Sequence, residues 1–525
     1  MNAKTDLLLL YPPWAALGSR GTLQNGLPPL GLLSIAAYAQ KEGFRVSFVD
    51  VHAERLTEED VSERLRQAAP RVVGISVLTH GAIPAHALAR LAKKVVPSAI
   101  VIVGGAHAEV LPEEMLGNSS IDAVVSGDGE EATVEVLRGD DFSTILGLSY
   151  RDGRRVVHGL PRPIQMTLDA YPMPAYELID FGHYLPAVGS YRRLPAMNMV
   201  ATRGCVGRCT FCNSASTTVR AHSPARVVAQ IKRLRDQYGV RQIQFYDDTF
   251  TVLRDNVQEI CDRLVADRID VTWTAYIRGD RFDAHLASAM RNAGCHQVLI
   301  GVESGDDRIA KSIGKPIDKA VYKEAVAFAH EQGIEVRASF IIGHIGETNE
   351  SMEATLDFAK NLDVDMLQLG ILTPLPGTEV FRQAVEQGLL IHTNWHEYGN
   401  DRVLLNLPTI TAEDIYRFER HAFRSFYLRP IILLRQLRRM TTFRQVKDLV
   451  YAFLLFLVGA NSKGERKWDC WLRYNLASFQ DIDLVDTAPQ VPRLTSAVRR
   501  QGAGAEKQSD NTDRQNNMHR GTHSR

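Results

Sequence analysis

The stretch Arg203-Gly204-Cys205-Val206-Gly207-Arg208-Cys209-Thr210-Phe211-Cys212-Asn213 decides how the chain is read. It holds three of the six cysteines, while Cys261, Cys295 and Cys470 are scattered. Six cysteines in 525 residues do not make a disulfide framework. Three thiolates at spacings of four and three can reach three corners of one iron–sulfur cube, and a four-iron cluster usually takes four cysteines. Cys205, Cys209 and Cys212 would therefore leave one iron open to a chelating ligand. The alternative is a zinc site with a distant fourth ligand. Zinc sites favour paired Cys-x-x-Cys motifs, and the chain has no second pair.

Working outward, strands and helices alternate on both sides of this stretch. The patterning predicts strands at 197–202, 242–246, 272–277, 297–301, 335–342 and 366–372. Helices fall at 224–238, 256–267, 284–292, 319–332, 352–361 and 379–387. Six β/α units are too few for a closed eightfold barrel and suit an open, partial (β/α)6 TIM-type barrel. Working residues of such barrels stand at the carboxyl ends of the strands. Those ends are polar here: the cysteine loop, Tyr246-Asp247-Asp248-Thr249-Phe250, Arg278, Gly301-Val302-Glu303-Ser304-Gly305, Gly343-His344-Ile345-Gly346-Glu347 and Thr373-Pro374-Leu375-Pro376-Gly377-Thr378. Charged groups are costly to bury without partners, and a zwitterionic ligand carrying a ribose would supply them. Taken singly, each is equally readable as a structural ion pair or loop cap.

Upstream, apolar strands at 6–11, 45–49, 72–77, 100–103 and 123–125 alternate with helices at 30–42, 58–69, 83–96 and 113–116. Continuous apolar strands between helices predict a parallel sheet covered on both faces. Five of them make a doubly wound α/β domain of flavodoxin-like strand order, with ligands bound where that order reverses. The expected strand ends are Ser76-Val77-Leu78-Thr79, Gly104-Gly105-Ala106-His107 and Ser126-Gly127-Asp128-Gly129-Glu130. Glycines there let a ligand approach the backbone, although a glycine pair alone also serves a tight turn.

Cys-x-x-x-Cys-x-aromatic-Cys, with Phe211 as the aromatic, resembles the hallmark of the radical S-adenosylmethionine (SAM) superfamily. The resemblance implies a 4Fe-4S cluster whose open iron binds the amino and carboxylate groups of SAM. One electron, from a donor such as flavodoxin or ferredoxin, then cleaves the sulfonium to a 5′-deoxyadenosyl radical that abstracts hydrogen. It also implies that Asp247 or Asp248 meets the ligand's amino group and Arg278 its carboxylate. Glu303 and Ser304 would stand near the ribose, and Gly343 would pass the adenine.

Ser76-x-Leu78, followed about 25 residues later by Gly104-Gly105, resembles the second and third elements of the cobalamin-binding signature. That likeness implies that Ser76, Leu78, Gly104, Gly105, Gly127 and Glu130 line the slot for the cofactor's nucleotide tail, with His80 and His107 as hydrogen-bonding walls. Leu27-Pro28-Pro29-Leu30-Gly31 resembles the opening loop of such domains fused to radical enzymes. The first signature element, Asp-x-His-x-x-Gly, is replaced by Tyr11-Pro12-Pro13-Trp14, so the histidine that would coordinate cobalt from below is absent. Asp50-Val51-His52 follows the second strand and has Arg55 in place of the glycine; His52 is read as a surface residue.

Asp247-Asp248-Thr249-Phe250-Thr251, Glu303-Ser304-Gly305 and Pro374-Leu375-Pro376-Gly377-Thr378 resemble the subset of the superfamily with an N-terminal cobalamin domain. These are the class B methyltransferases and the anaerobic magnesium-protoporphyrin monomethyl ester oxidative cyclase. The subset commonly carries Gly-Leu-Pro-Gly-Glu after the fifth strand, where this chain has His344 and Ile345. His344 becomes a candidate proton acceptor. The implied function is methylation of an unactivated carbon, or a phosphinate phosphorus, of a small-molecule or lipid-like substrate through a 5′-deoxyadenosyl radical. A non-methylating cyclase or rearrangement enzyme is the alternative, and a cobalamin- or redox-sensing binding protein is the alternative of another class.

The expected organisation is a cobalamin domain at 1–139, a Pro-containing linker at 140–190, the barrel at 191–400, a helical cap at 401–487 and a disordered tail at 488–525. The C-terminal region interleaves Phe and Leu with Arg. It is read either as a cap whose arginines reach solvent or as a basic amphipathic surface touching a membrane through 420–460. The apolar run 449–460 is about half the roughly 20 residues that a spanning helix needs. Lys+Arg and Asp+Glu are 61 each, which excludes the broad basic bias of a protein that wraps nucleic acid. Seven basic against three acidic residues after 487 give the tail +4 and the remainder −4. No secretory signal is visible around 7–10, and a thiol-ligated cluster needs a reducing compartment, so a cytoplasmic location is expected, with membrane association if the second C-terminal reading holds.

Overall fold

The computed structural model describes residues 5–13, 26–187 and 189–439. The first part runs β1 (Leu7–Tyr11), α1 (Leu30–Lys41), β2 (Val46–Asp50), α2 (Glu58–Ala68), β3 (Val72–Ser76), α3 (Ala82–Val95), β4 (Ile100–Gly104), α4 (Ala106–Val110), α5 (Pro112–Gly117), β5 (Ala123–Val125), α6 (Gly129–Arg138), β6 (Leu148–Asp152) and β7 (Arg155–His158). Strand order is β2-β1-β3-β4-β5-β6-β7, and β1 to β5 are parallel. The flavodoxin-like order 2-1-3-4-5 is present. In β1, Leu7 and Leu9 enter the core shared with α1 and α6, and Leu8 and Leu10 enter the core under α2 and α3. The two-residue side-chain period thus sends alternate leucines to opposite faces, and both faces are covered.

The segment read as a linker begins inside this sheet. β6 pairs antiparallel with β5, and β7 with β6, around a turn at Gly153 (φ +58°). The physical reason is local: Asp152-Gly153 sits between two short β-prone runs, a strong hairpin signal. The rest of the segment packs against the barrel, where the Tyr176 hydroxyl donates to the Asn198 carbonyl at 3.1 Å.

The second part runs β8 (Ala196–Met199), β9 (Thr202–Arg203), β10 (Arg220–Ala221), α7 (Pro224–Tyr238), β11 (Gln242–Phe245), α8 (Arg254–Ala266), β12 (Thr272–Ile277), α9 (Ala284–Asn292), β13 (Cys295–Glu303), α10 (Asp307–Ser312), α11 (Lys319–Glu331), β14 (Glu335–Ile342), α12 (Asn349–Asn361), β15 (Met366–Ile371), α13 (Glu379–Glu386), α14 (Ala412–Tyr427) and α15 (Pro430–Arg439). Six parallel strands stand in sequence order, β8-β11-β12-β13-β14-β15, and form the open, partial barrel. β9 and β10 make a separate antiparallel ribbon.

α14 closes the open edge at β15. The Tyr427 hydroxyl accepts from Leu367 N–H at 3.1 Å and donates to the Leu367 carbonyl at 2.8 Å. The expectation that arginines here reach solvent fails at two positions. Arg429 donates to the Lys360 carbonyl and Arg435 pairs with Asp363, while Leu428, Ile431, Leu433 and Leu434 are exposed. The last turn of α12 leaves carbonyls without helical partners, and a guanidinium satisfies them. Readings that fall after residue 439, including Cys470, the apolar run 449–460, the remainder of the expected cap and the tail, lie outside the described residues. Among the described residues no helix is long and apolar enough to cross a membrane.

Candidate active site

The carboxyl ends of β3, β4 and β5 open onto a cavity of about 320 Å³, reached also by α1, α6 and the barrel. Ser76, Gly104, Gly105, Gly127 and Glu130 line it. Gly105 has φ +109°, and a Cβ there would lie 2.9 Å from the Val77 carbonyl; at Gly104 it would lie 3.3 Å from the Val125 carbonyl. Only glycine fits the first position without strain. Apolar walls from Leu9, Ile75 and Ile102 face these backbones, so the cradle suits a flat aromatic group carried on a polar chain.

Two residues expected in this slot stand elsewhere. Leu78 is 37% exposed and does not line the cavity. His107 is buried away from it, 3.4 Å from the Thr79 hydroxyl and edge-on to Trp395. His80 is likewise outside the lining; burial pushes it down to about 4, helped by His52 and His107. His52 is half-buried rather than a surface residue, and burial also lowers its pKa.

The polar wall was largely missed by sequence reasoning. Ser34 donates to Glu130 at 2.7 Å, and Arg203 donates to Glu130 at 3.0 Å and to Asp128 at 2.9 Å. Burial raises the Asp128 carboxyl, but Arg220 and Arg203 outweigh it and hold the group below the ordinary carboxylate range. His222, also on the wall, is bonded to Asp169 at 2.9 Å.

The cysteines occupy the loop between β9 and β10. Its ends are tied by Cys205 N–H to the Thr217 hydroxyl (2.9 Å) and Thr217 N–H to the Cys205 carbonyl (3.0 Å). Its middle is tied to neighbouring loops by Thr210 N–H to the Ile313 carbonyl and Val380 N–H to the Thr210 carbonyl, both 2.9 Å. Cys205, Cys209 and Cys212 are all half-buried free thiols. A Cβ on Gly207 would lie 3.3 Å from Cys205 Sγ and 3.8 Å from Cys209 Sγ, so these two thiols flank one backbone position. Gly207 N–H donates to Cys205 Sγ at 3.3 Å, and the Ser214 backbone bonds to Cys212. Thiolates that ligate a cluster are stabilised by such N–H donors. Burial pushes the Cys209 and Cys212 thiols up, so iron binding would release their protons. Cys261 and Cys295 are buried core residues by contrast; burial drives Cys261 up to about 12.

Around this loop the strand ends are polar and internally paired. Asp247 is buried and accepts from Ala201 N–H at 3.1 and 3.2 Å and from the Thr202 hydroxyl at 2.7 Å. Burial still raises it to about 6. With both oxygens taken it anchors the approach to the cysteine loop, whereas Asp248 is exposed and its charge is felt at Cys212. Arg278 forks onto Asp280, both contacts 2.9 Å, and its Nη1 would lie 3.7 Å from a Cβ on Gly207.

Glu303 sits in the left-handed region (φ +69°) and pairs with Lys315 at 2.7 Å, both side chains buried. A non-glycine held there marks local strain of the kind found at functional sites. Lys315, whose charge reaches Cys209, was marked by no motif or periodicity. Ser304 is buried on Thr355, 3.3 Å away, and serves the loop.

Gly343 (φ +82°) lets the next loop turn. In it His344 is buried, its ring centroid 6.1 Å from that of Phe211. Burial pushes His344 down to about 4, against a ring bond to the Ile341 backbone, and its Nε2 is buried with no partner. A neutral ring with one buried free lone pair is a proton acceptor by inventory. Glu347 is also buried and driven up to about 7, although it accepts from Ser351 (2.7 Å) and His344 N–H (3.2 Å).

Comparison with known proteins agrees with this geometry. The Radical SAM superfamily matches residues 199–359, and the B12 binding domain matches residues 19–137. The uncharacterized methyltransferase PH0819 of Pyrococcus horikoshii is 36% identical, covering 82% of this chain and 94% of its own. Cytidylyl-2-hydroxyethylphosphonate methyltransferase of Streptomyces wedmorensis is 29% identical over 73% of this chain and 82% of its own. Anaerobic magnesium-protoporphyrin IX monomethyl ester cyclase of Cereibacter sphaeroides is 24% identical over 81% of this chain and 71% of its own. The fold is shared with the radical SAM methyltransferase TsrM of Kitasatospora setae, solved with cobalamin and a [4Fe-4S] cluster. That likeness has a TM-score of 0.63 at 18% identity, over 82% of this chain and 90% of that one. With a glycine-walled slot at one sheet and a thiol triad at the other, the chain belongs to the cobalamin-dependent radical SAM methyltransferase family.

Proposed function

We propose that the protein methylates an unactivated carbon, or a phosphinate phosphorus, of a small-molecule or lipid-like substrate. The observation that carries this reading is that the β9–β10 ribbon, whose connecting loop bears the thiol triad, also lends Arg203 to the wall of the glycine-walled slot. When bound, the cluster would supply the electron that cleaves SAM to a 5′-deoxyadenosyl radical, and cobalamin would carry the methyl group. Cys205, Cys209 and Cys212 would hold the cluster. Asp248, exposed beside the cysteines, is the acidic group free to receive an ammonium, since Asp247 is fully bonded within the fold. Arg278 and the Glu303–Lys315 pair offer charge to a carboxylate and a ribose. His344 Nε2 is the group able to take a proton from a substrate. A one-electron donor such as flavodoxin or ferredoxin serves the cluster.

The methyltransferase relative named for a phosphonate substrate supports methyl transfer, and the cyclase relative supports a second reading in which no methyl is transferred. The two are separated with SAM labelled in its methyl group. The methyltransferase reading expects label in product together with 5′-deoxyadenosine. Turnover giving 5′-deoxyadenosine and an unlabelled, oxidised product would establish the cyclase reading instead.

A further inference from the structure

The loop that carries the cysteines spans 204–219, and its two flanking strands place Arg203 opposite Arg220. Both arginines turn to one carboxylate. Arg203 Nη1 donates to Asp128 Oδ1 at 2.9 Å, and Arg220 donates to both Asp128 oxygens, at 3.3 Å to Oδ1. Arg203 Nη2 donates onward to Glu130 at 3.0 Å and to Ser34 Oγ at 3.4 Å, and its guanidinium lies 5.8 Å from the Tyr171 ring centre. Ser34, Asp128, Glu130, Tyr171 and Arg203 are all walls of the cavity. The base of the cluster loop and the wall of the slot therefore share one network of two cations and two anions. It is partly shielded: the Arg220 and Glu130 side chains are 11% and 3% exposed, those of Asp128 and Arg203 20% and 26%. A half-buried carboxylate held by two cations resists rearrangement, because losing either partner leaves its charge less compensated.

We infer that Asp128 is a positioning residue that couples the two cofactor sites, so that cluster assembly on the cysteine loop and cobalamin binding in the slot strengthen one another through Arg203 and Arg220. An assembled cluster fixes the loop 204–219 at three points. Fixing the loop fixes the ribbon, and with it the two guanidiniums that set the position of Asp128 and Glu130 in the slot wall. A tail seated against that wall holds the same guanidiniums from the other side. Coupling of this kind is reciprocal by thermodynamic necessity. The inference rests on cobalamin occupying this slot.

The test measures equilibrium binding of hydroxocobalamin to the full chain with its cluster reconstituted anaerobically and to the same chain stripped of iron. Iron content is assayed separately. For the wild type, the cluster should tighten binding by about five-fold or more. In Asp128→Asn the ratio between the two forms should fall to within about two-fold, whatever the substitution does to either affinity alone, because the comparison closes a cycle. Should that variant fail to fold, Arg220→Lys, which keeps the cation but loses the fork, reads the same ratio. Equal affinities in the two wild-type forms, or a wild-type ratio preserved in the variant that folds, would overturn the coupling. Absence of binding in both wild-type forms would instead remove its premise.

Discussion

The two sheets use the carboxyl ends of their parallel strands in opposite ways. At the first, the ends are mostly small: Ser76, Gly104, Gly105 and Gly127 withdraw side chains and leave a cavity. At the second, the ends are crowded with charge: Asp247 bonded to the backbone of Ala201, Glu303 on Lys315, Arg278 on Asp280 and Glu347 on Ser351. One site is made by shape and the other by preorganised polarity. The lesson is that a cofactor held mainly through its bulk needs space, whereas a small zwitterion and a cluster need groups already aligned, since aligning them during reaction costs reorganisation.

Breaking the polar site should have the largest effect. Cys205→Ala, Cys209→Ala or Cys212→Ala should each remove the four-iron absorbance and all SAM cleavage. A single variant with full cleavage would reject the triad. Filling the shape-built site is the next test. Gly104→Trp should reduce the cobalamin bound per chain severalfold while the thiol triad still takes up iron, and cobalamin retained at wild-type stoichiometry would show that the slot is not the site. The two changes together ask whether the sites fail separately.

His344→Leu sharpens the contrast within the polar site. It removes a buried nitrogen that has no partner together with the ring bond to the Ile341 backbone, so stability should fall by no more than about 1–3 kcal/mol. If His344 takes the proton, product formation should fall about 10²-fold or more while SAM cleavage persists. Unchanged turnover would leave His344 a packing residue.

The smallest effect concerns Glu347. Its folded pKa of about 7 lies above the ordinary glutamate value of 4.5. The folded state therefore holds a proton that the unfolded state loses, and this contribution to stability is full below about pH 4.5 and declines until about pH 7. The stability of wild type minus that of Glu347→Gln should fall by at most about 1.4 kcal/mol per pH unit between pH 5 and 7, then level off. Urea titrations at several pH values would reveal it, and a flat difference would count against the shift.

Legibility in the sequence followed the same division. Both strand orders, the cysteine triad and the slot glycines could be read, because periodicity and glycine spacing are local signals. The hairpin of β6 and β7 was equally local, and Asp152-Gly153 marked it, but the prolines further along drew the segment towards a linker reading. Lys315 and the Arg203–Asp128–Arg220 contacts could not be read. Their partners lie 12 to 92 residues away, and nothing in a charge pattern states which carboxylate a guanidinium will find. Asp247 and Asp248 are adjacent and chemically identical, yet the turn after β11 buries one and exposes the other. Arg429, between α14 and α15, was illegible for a related reason: helix periodicity cannot anticipate that a carbonyl at the end of α12 will claim it.

Tyr427 also matters for what it covers. β15 ends the barrel sheet with backbone groups that another chain's strand could adopt, and a single phenol hydroxyl occupies both those of Leu367. The Tyr427 hydroxyl thus covers part of an edge of the kind that templates association when exposed. Tyr427→Phe, which keeps the ring and removes only the hydroxyl, would free the Leu367 groups while leaving the core packing of α14 in place, so new self-association in that variant would report an unsealed edge.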